Sequence, residues 1–151
     1  MHIAMAIMNQ ESAFRKKARP PRTRLLGFIP WRRQSSAYGY AQVIDGTWQQ
    51  YVSATGDYWR KRSNFADATD FIHWYMREAV RRNNIAATDA YNLYLNYHEG
   101  PAGFRRGTHK RKQWLLAVAL KVQQRADNYR AQYGRCKDSF KRGFWSRLLG
   151  G

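Results

Sequence analysis

A single cysteine, Cys136, occurs in 151 residues. That excludes an internal disulfide framework and any multi-cysteine metal site, and leaves a plain thiol near the C-terminus as the simplest reading. Histidine is almost as sparse. His2, His73, His98 and His109 are scattered with no H-x-x-x-H pair, so neither a metal nor a cofactor is expected. No apolar run approaches the ~20 residues that cross a bilayer. The opening Met1 to Met8 lacks a basic lead and passes directly into Asn9-Gln10-Glu11, unlike an ordinary signal peptide. Either export is handled otherwise, or the chain begins after a missing leader, since Met1 enters a helical pattern without an N-cap. Strand-like alternation is also lacking: Tyr38 to Val43 comes nearest and is too short to found a sheet.

Acidic residues are few. Ten Asp+Glu stand against 27 Lys+Arg, giving a net charge of +17. Such a field attracts polyanions (nucleic acid, anionic lipid, or an acidic cell wall) and does not choose among them. A disordered basic tail is excluded by 44% hydrophobic and 15% aromatic residues, with six Trp and ten Tyr. The length suits one domain of ordinary size with a real core.

The expected architecture is all-α. Residues 1–16 read as a helix, with Ile3, Ala6, Ile7 and Gln10 on one face and Met8, Glu11 and Ser12 continuing round it. Pro20, Pro21, Gly27 and Pro30 make 18–38 a long irregular segment whose Leu25, Leu26, Phe28, Ile29 and Trp31 suggest that it packs down. Asp45 caps a short helix to about Ala54. Asn64 or Phe65 opens a stronger one to about Arg82, stopped by Asn83-Asn84. Thr88 or Asp89 caps another that ends at Gly100-Pro101. A last helix, about 111–133, is expected to bury Trp114, Leu115, Val118, Val122 and Tyr129 and to end at Gly134. The domain organisation is then 1–133, followed by a basic aromatic tail at 134–151.

Glu11 closes an apolar helix face just before the long segment. A carboxyl group in partly apolar surroundings has a raised pKa, as a general acid acting on a glycosidic oxygen requires. By position alone a solvated Glu, or one paired with Arg15 or Lys16, is the better explanation. Three separated segments change the weight. They are Asn9-Gln10-Glu11-Ser12-Ala13-Phe14; Ala37-Tyr38-Gly39-Tyr40-Ala41-Gln42-Val43 leading to Thr47-Trp48; and Tyr91-x-x-Tyr94-x-x-Tyr97-His98-Glu99-Gly100-Pro101-Ala102-Gly103.

In this order they resemble the soluble lytic transglycosylase (SLT) domain of the lysozyme-like superfamily, with its Glu-Ser helix end, Gly-x-x-Gln turn and Tyr-Asn-x-Gly segment. The resemblance covers residues 1 to about 130. It implies that Glu11 is the catalytic acid/base and that Ser12 orients it or the substrate. Gly39, with Tyr40 beside it, would let the backbone approach the sugar, and Gln42 would line the cleft. Tyr97 would hydrogen-bond near the carboxyl, with His98 and Glu99 beside it. The sequence departs from the family pattern in Tyr40-Ala41, where Leu-Met is usual, in His98, where Asn is usual, and in an added 22–35 stretch. Tyr-His-Glu-Gly therefore resembles a variant branch.

The chemistry implied is cleavage of peptidoglycan glycan strands with one carboxyl group rather than the usual glycosidase pair. Glu99 as a second catalytic group, or as an anchor of the turn that follows it, stays open at this point. Tyr91, Tyr94 and Tyr97 are core residues or residues whose tips reach the cleft. Trp31 and Trp48 either stack on sugars or pack in the core. Two other classes remain. One is a non-catalytic peptidoglycan-binding relative. The other is a basic nucleic-acid-binding protein, which explains the charge but not the three segments, and for which no known signature is present. The substrate implies a periplasmic or cell-envelope site. The basic excess is late: of the +17, residues 104–151 carry 13 Lys+Arg against 2 Asp+Glu. This region, with the aromatic-basic Phe140 to Leu149, is expected to hold an anionic wall or membrane surface, or simply to be solvated. Oligomeric state has no sequence signal.

Overall fold

A computed structural model describes residues 1–20, 22–25, 29–33 and 35–149, with side chains described for 1–20 and 35–137. The chain forms α1 (His2–Ser12), a hairpin of β1 (Arg22–Leu25) and β2 (Ile29–Arg33), α2 (Asp45–Thr55), α3 (Phe65–Asn83), α4 (Ala90–Arg105), a short 3-10 turn (Thr108–Arg111) and α5 (Gln113–Leu149). The all-α class holds, and the helices appear in the expected order.

The first helix is the centre of the fold. Ile3, Ala4, Ala6, Ile7, Met8 and Ser12 are all buried. A helix apolar around most of its circumference must be covered on several sides, and α1 packs on both α5 and α3. From α5 the stripe Leu115, Ala119, Val122 and Ala126 is fully buried. Its two alanines sit at alternate turns, which lets the helix axes approach closely. Phe71 and Ile72 of α3 and Leu93, Tyr94 and Leu95 of α4 complete the core.

Helix starts follow local chemistry. The Asn64 side chain accepts a hydrogen bond from the Asp67 N–H at 3.1 Å, and that of Asp89 from the Asn92 N–H at 2.9 Å, so both act as N-caps. For α2 the N-cap position is Ile44, not Asp45. The Asp45 N–H donates to the Ser36 hydroxyl at 3.1 Å, and its carboxylate pairs with Arg62 at 2.7 Å. A residue from a distant loop thus does the capping.

Several expectations fail at boundaries. The first helix stops at Ser12 rather than residue 16, because Ala13 and Phe14 both take left-handed backbone, with φ of 49° and 59°. Two non-glycine residues in that region carry a conformational cost of roughly 1–3 kcal/mol each. The segment 18–38 is not wholly irregular: β1 and β2 pair antiparallel, Arg24 opposite Pro30. In a two-stranded ribbon each strand has a free edge, so a proline need not interrupt the ladder. The expectation that its apolar side chains pack down, and that Trp31 meets sugar, falls outside the described side chains. Gly100 breaks α4 with φ 71° and ψ 162°, and helix resumes from Pro101 to Arg105. Gly134 does not end α5, since a lone glycine costs only about 1 kcal/mol against alanine and imposes no stop. Trp114 is 56% exposed, not core.

Candidate active site

Glu11 is the last acidic position of the central helix and faces a groove of about 470 Å³. Gln42, Tyr97, His98 and Glu99 line the same groove, with Thr47, Phe71 and Tyr75. Burial pushes the Glu11 carboxyl up to about 7, against the lowering effect of a hydrogen bond from Tyr94. In a protein with a net charge of +17, no ion pair to Glu11 exists among the described residues. Arg15 instead donates to the Ser12 carbonyl at 3.2 Å. Near pH 7 an appreciable fraction of this carboxyl is therefore protonated, which is the state a general acid needs.

Tyrosines wall this carboxyl. The Tyr97 hydroxyl donates to the Ala41 carbonyl at 2.6 Å, tying α4 to the loop before α2. Tyr75 stands edge-on to Tyr97 at 5.2 Å. Sequence reasoning placed Tyr97 nearest the acid, yet Tyr94 makes the hydrogen bond to it. Tyr94 was visible only as one member of the Tyr91–Tyr94–Tyr97 series. Which of the three turns toward α1 depends on how α4 is rotated against it.

The loop 36–43 is held by Arg62, a residue with no sequence signal. Its guanidinium donates to the carbonyls of Ser36 and Val43 at 3.1 and 3.0 Å. It also lies over the Tyr38 ring. Gln42 adopts φ 48° and spends both amide hydrogens on the loop, donating to the carbonyls of Ala18 at 2.9 Å and Gly39 at 2.8 Å. Its Oε1 remains the atom able to accept from a ligand in the groove.

Three residues expected at the substrate lie elsewhere. Ser12 is buried and donates to the Met8 carbonyl at 3.1 Å, as hydroxyls in a helix's last turn often do. Gly39 makes its close backbone approach to the Arg62 carbonyl rather than to open groove: a Cβ there would sit 2.1 Å from that oxygen. Tyr40 packs edge-on against Phe65, centroids 5.6 Å apart. Trp48 is likewise a core residue, tilted against Tyr51 and Phe71 at 5.1 and 5.6 Å.

Glu99 has partners on every side. Lys112 donates at 2.7 Å, His98 Nδ1 lies at 3.0 Å, and the Thr108 hydroxyl donates to the other oxygen. Burial would raise this carboxyl, but those three donors overcome it and hold it down at about 2. A carboxylate that acidic only accepts, so the hydrogen between the two lies on His98 Nδ1. Trp114 supports that ring edge-on at 5.2 Å. Because the Glu99 value is depressed, its stabilisation is full above the ordinary 4.5 and is lost as pH falls toward 2. Lys112→Met is expected to cost about 1 kcal/mol at pH 7, its ammonium being partly exposed. The cost should be clearly smaller at pH 2, where Glu99 is partly protonated, as read from urea unfolding at the two pH values.

The chain matches the family model described as Transglycosylase SLT domain over residues 1–136. The protein belongs to that family. No curated protein and no solved structure matches it. Membership makes it a lysozyme-like domain of the transglycosylase type, with peptidoglycan as the substrate class, which is consistent with the cell envelope. The groove bearing Glu11 lies wholly within the matched residues.

Proposed function

We propose that this SLT domain is a lytic transglycosylase that cleaves the β-1,4 bond between N-acetylmuramic acid and N-acetylglucosamine, with Glu11 as its single acid/base. What carries the reading is the asymmetry of the two carboxyl groups in the groove. Glu11 sits at about 7 with no cation paired to it among the described residues, while Glu99 is held at about 2 by Lys112, Thr108 and His98. Pairs of carboxyls pushed apart in this way commonly divide into acid and partner. Here the second is fully engaged in anchoring the turn after α4, which leaves Glu11 to serve both halves of the reaction.

The steps balance on that one group. Glu11 gives its proton to the glycosidic oxygen as the bond from muramyl C1 breaks. The muramyl C6 hydroxyl attacks C1, and its proton returns to Glu11. The product is a 1,6-anhydromuramyl end, and no water is consumed. Gln42 Oε1 and the groove face of His98 supply polar contacts to the sugars, and Tyr94 steadies the acid.

Digestion of purified sacculi, followed by mass analysis of the new ends, tests this directly. Anhydromuramyl ends are the expected result; reducing ends would replace the transglycosylase with a hydrolase. The rate should fall as pH rises through about 7, because the acid must start protonated. A rate that climbs through that range would point to another group. Envelope localisation on the periplasmic side is part of the same proposal, as is a separate role for residues 134–151 in holding an anionic surface.

A further inference from the structure

The 3-10 turn Thr108–Arg111 borders a second cavity of about 470 Å³ lined by Arg106, Gly107, Thr108, Lys110 and Arg111. Three cations converge there, and none of them forms an ion pair among the described residues. Elsewhere acids meet cations: Asp45 with Arg62, Asp57 and Asp70 with Arg60, Glu78 with Arg81 and Arg82. The carboxylate nearest along this segment's hydrogen bonds, Glu99, already holds Lys112 and Thr108.

The fold keeps the like charges together. Gly107 turns with φ 69°, and the Lys110 stem lies over it so closely that a Cβ would come within 3.3 Å. The Thr108 hydroxyl reaches back to the Gly103 carbonyl at 3.1 Å. His109 is buried and stacked on Phe104, centroids 5.0 Å apart, pinning the turn from beneath. The lining of this cavity thus carries three cations and no carboxylate.

The geometry points to a phosphate-binding site formed by Arg106, Lys110 and Arg111. Two guanidinium forks and an ammonium suit a multiply charged tetrahedral oxyanion better than a single carboxylate. A concave site without exposed apolar side chains suits a discrete phosphate group carried by a polymer better than a flat bilayer. Thr108 lines this cavity and bonds Glu99, which lines the glycan groove. The site stands independently of the reaction assigned to Glu11.

The test titrates the isotope-labelled full chain with pyrophosphate and follows its backbone amides by NMR. Saturable shifts confined to residues 106–112 are expected. Arg106→Gln/Lys110→Gln/Arg111→Gln should weaken binding at least tenfold. Lys121→Gln/Arg130→Gln/Lys137→Gln, which removes equal charge from exposed positions on α5, should leave it within twofold. The same spectra report that each variant is folded. Equal weakening by both triples would reduce the effect to net charge and overturn the site. So would binding to phosphatidylglycerol vesicles that depends on Arg106, Lys110 and Arg111 when pyrophosphate does not bind, because the surface would then belong to a membrane.

Discussion

Glu11→Gln is expected to lower glycan cleavage by a factor of about 10² to 10⁴ or more, the range lost when a positioned acid is removed. Strand binding should persist, because the amide keeps the shape of the side chain. The same substitution should change stability in a direction that ordinary active-site mutations do not share. Glu11 has its folded value raised from 4.5 to about 7, so the native state binds the proton more tightly than the unfolded chain does. Stability is therefore lost progressively as pH rises through that window, by up to about 3 kcal/mol once the group must ionise inside the fold. Glutamine carries no such charge. The variant should match the parent near pH 4 and exceed it in melting temperature at pH 8. Retained turnover would remove Glu11 from the mechanism. An unchanged difference in melting temperature between the two pH values would remove the burial argument.

The second large effect is structural. Gly39→Ala is expected to destabilise the protein by about 3 kcal/mol or more, combining a left-handed backbone with a collision. The added Cβ would meet the Arg62 carbonyl oxygen at 2.1 Å and its carbon at 2.6 Å, both backbone atoms that cannot swing aside. Moving Arg62 would also disturb its hydrogen bonds to Ser36 and Val43. Gly56→Ala is the control. That glycine has a similar φ of 71° but nothing within 4 Å of a Cβ, so only the conformational cost of about 1–2 kcal/mol should appear. Urea unfolding of the two variants separates strain from collision, and equal losses would mean that the Arg62 contact is unimportant.

The glycine case shows how a sequence signal can be right in kind and wrong in partner. Gly39 belongs to a Gly-x-x-Gln turn, and close backbone approach was the expected reason for it. The approach is real, but it is made to Arg62, over twenty residues away, and no local pattern announces that contact. Gln42 follows the same logic. It lines the groove, yet both amide hydrogens are used to close the loop on Ala18 and Gly39. Ser12 entered the expected site through the Glu-Ser helix end of the family resemblance. On a helix, adjacent residues point about 100° apart, so one faces the groove while the other bonds the preceding turn.

The sequence by itself determined the helical order, because apolar spacing near 3.6 and the caps Asn64 and Asp89 act over a few residues. It determined that Glu11 ends an apolar helix, and it carried the three segments that mark the family. Only the tertiary structure decided what Glu11 and Glu99 are. Both are glutamates at partly apolar positions, and their protonation differs because one is buried against tyrosines while the other receives Lys112, Thr108 and His98. A pKa depends on what the rest of the chain brings within a few ångströms. Lys112 stands thirteen positions from Glu99, across the turn after α4, where helix periodicity makes no prediction.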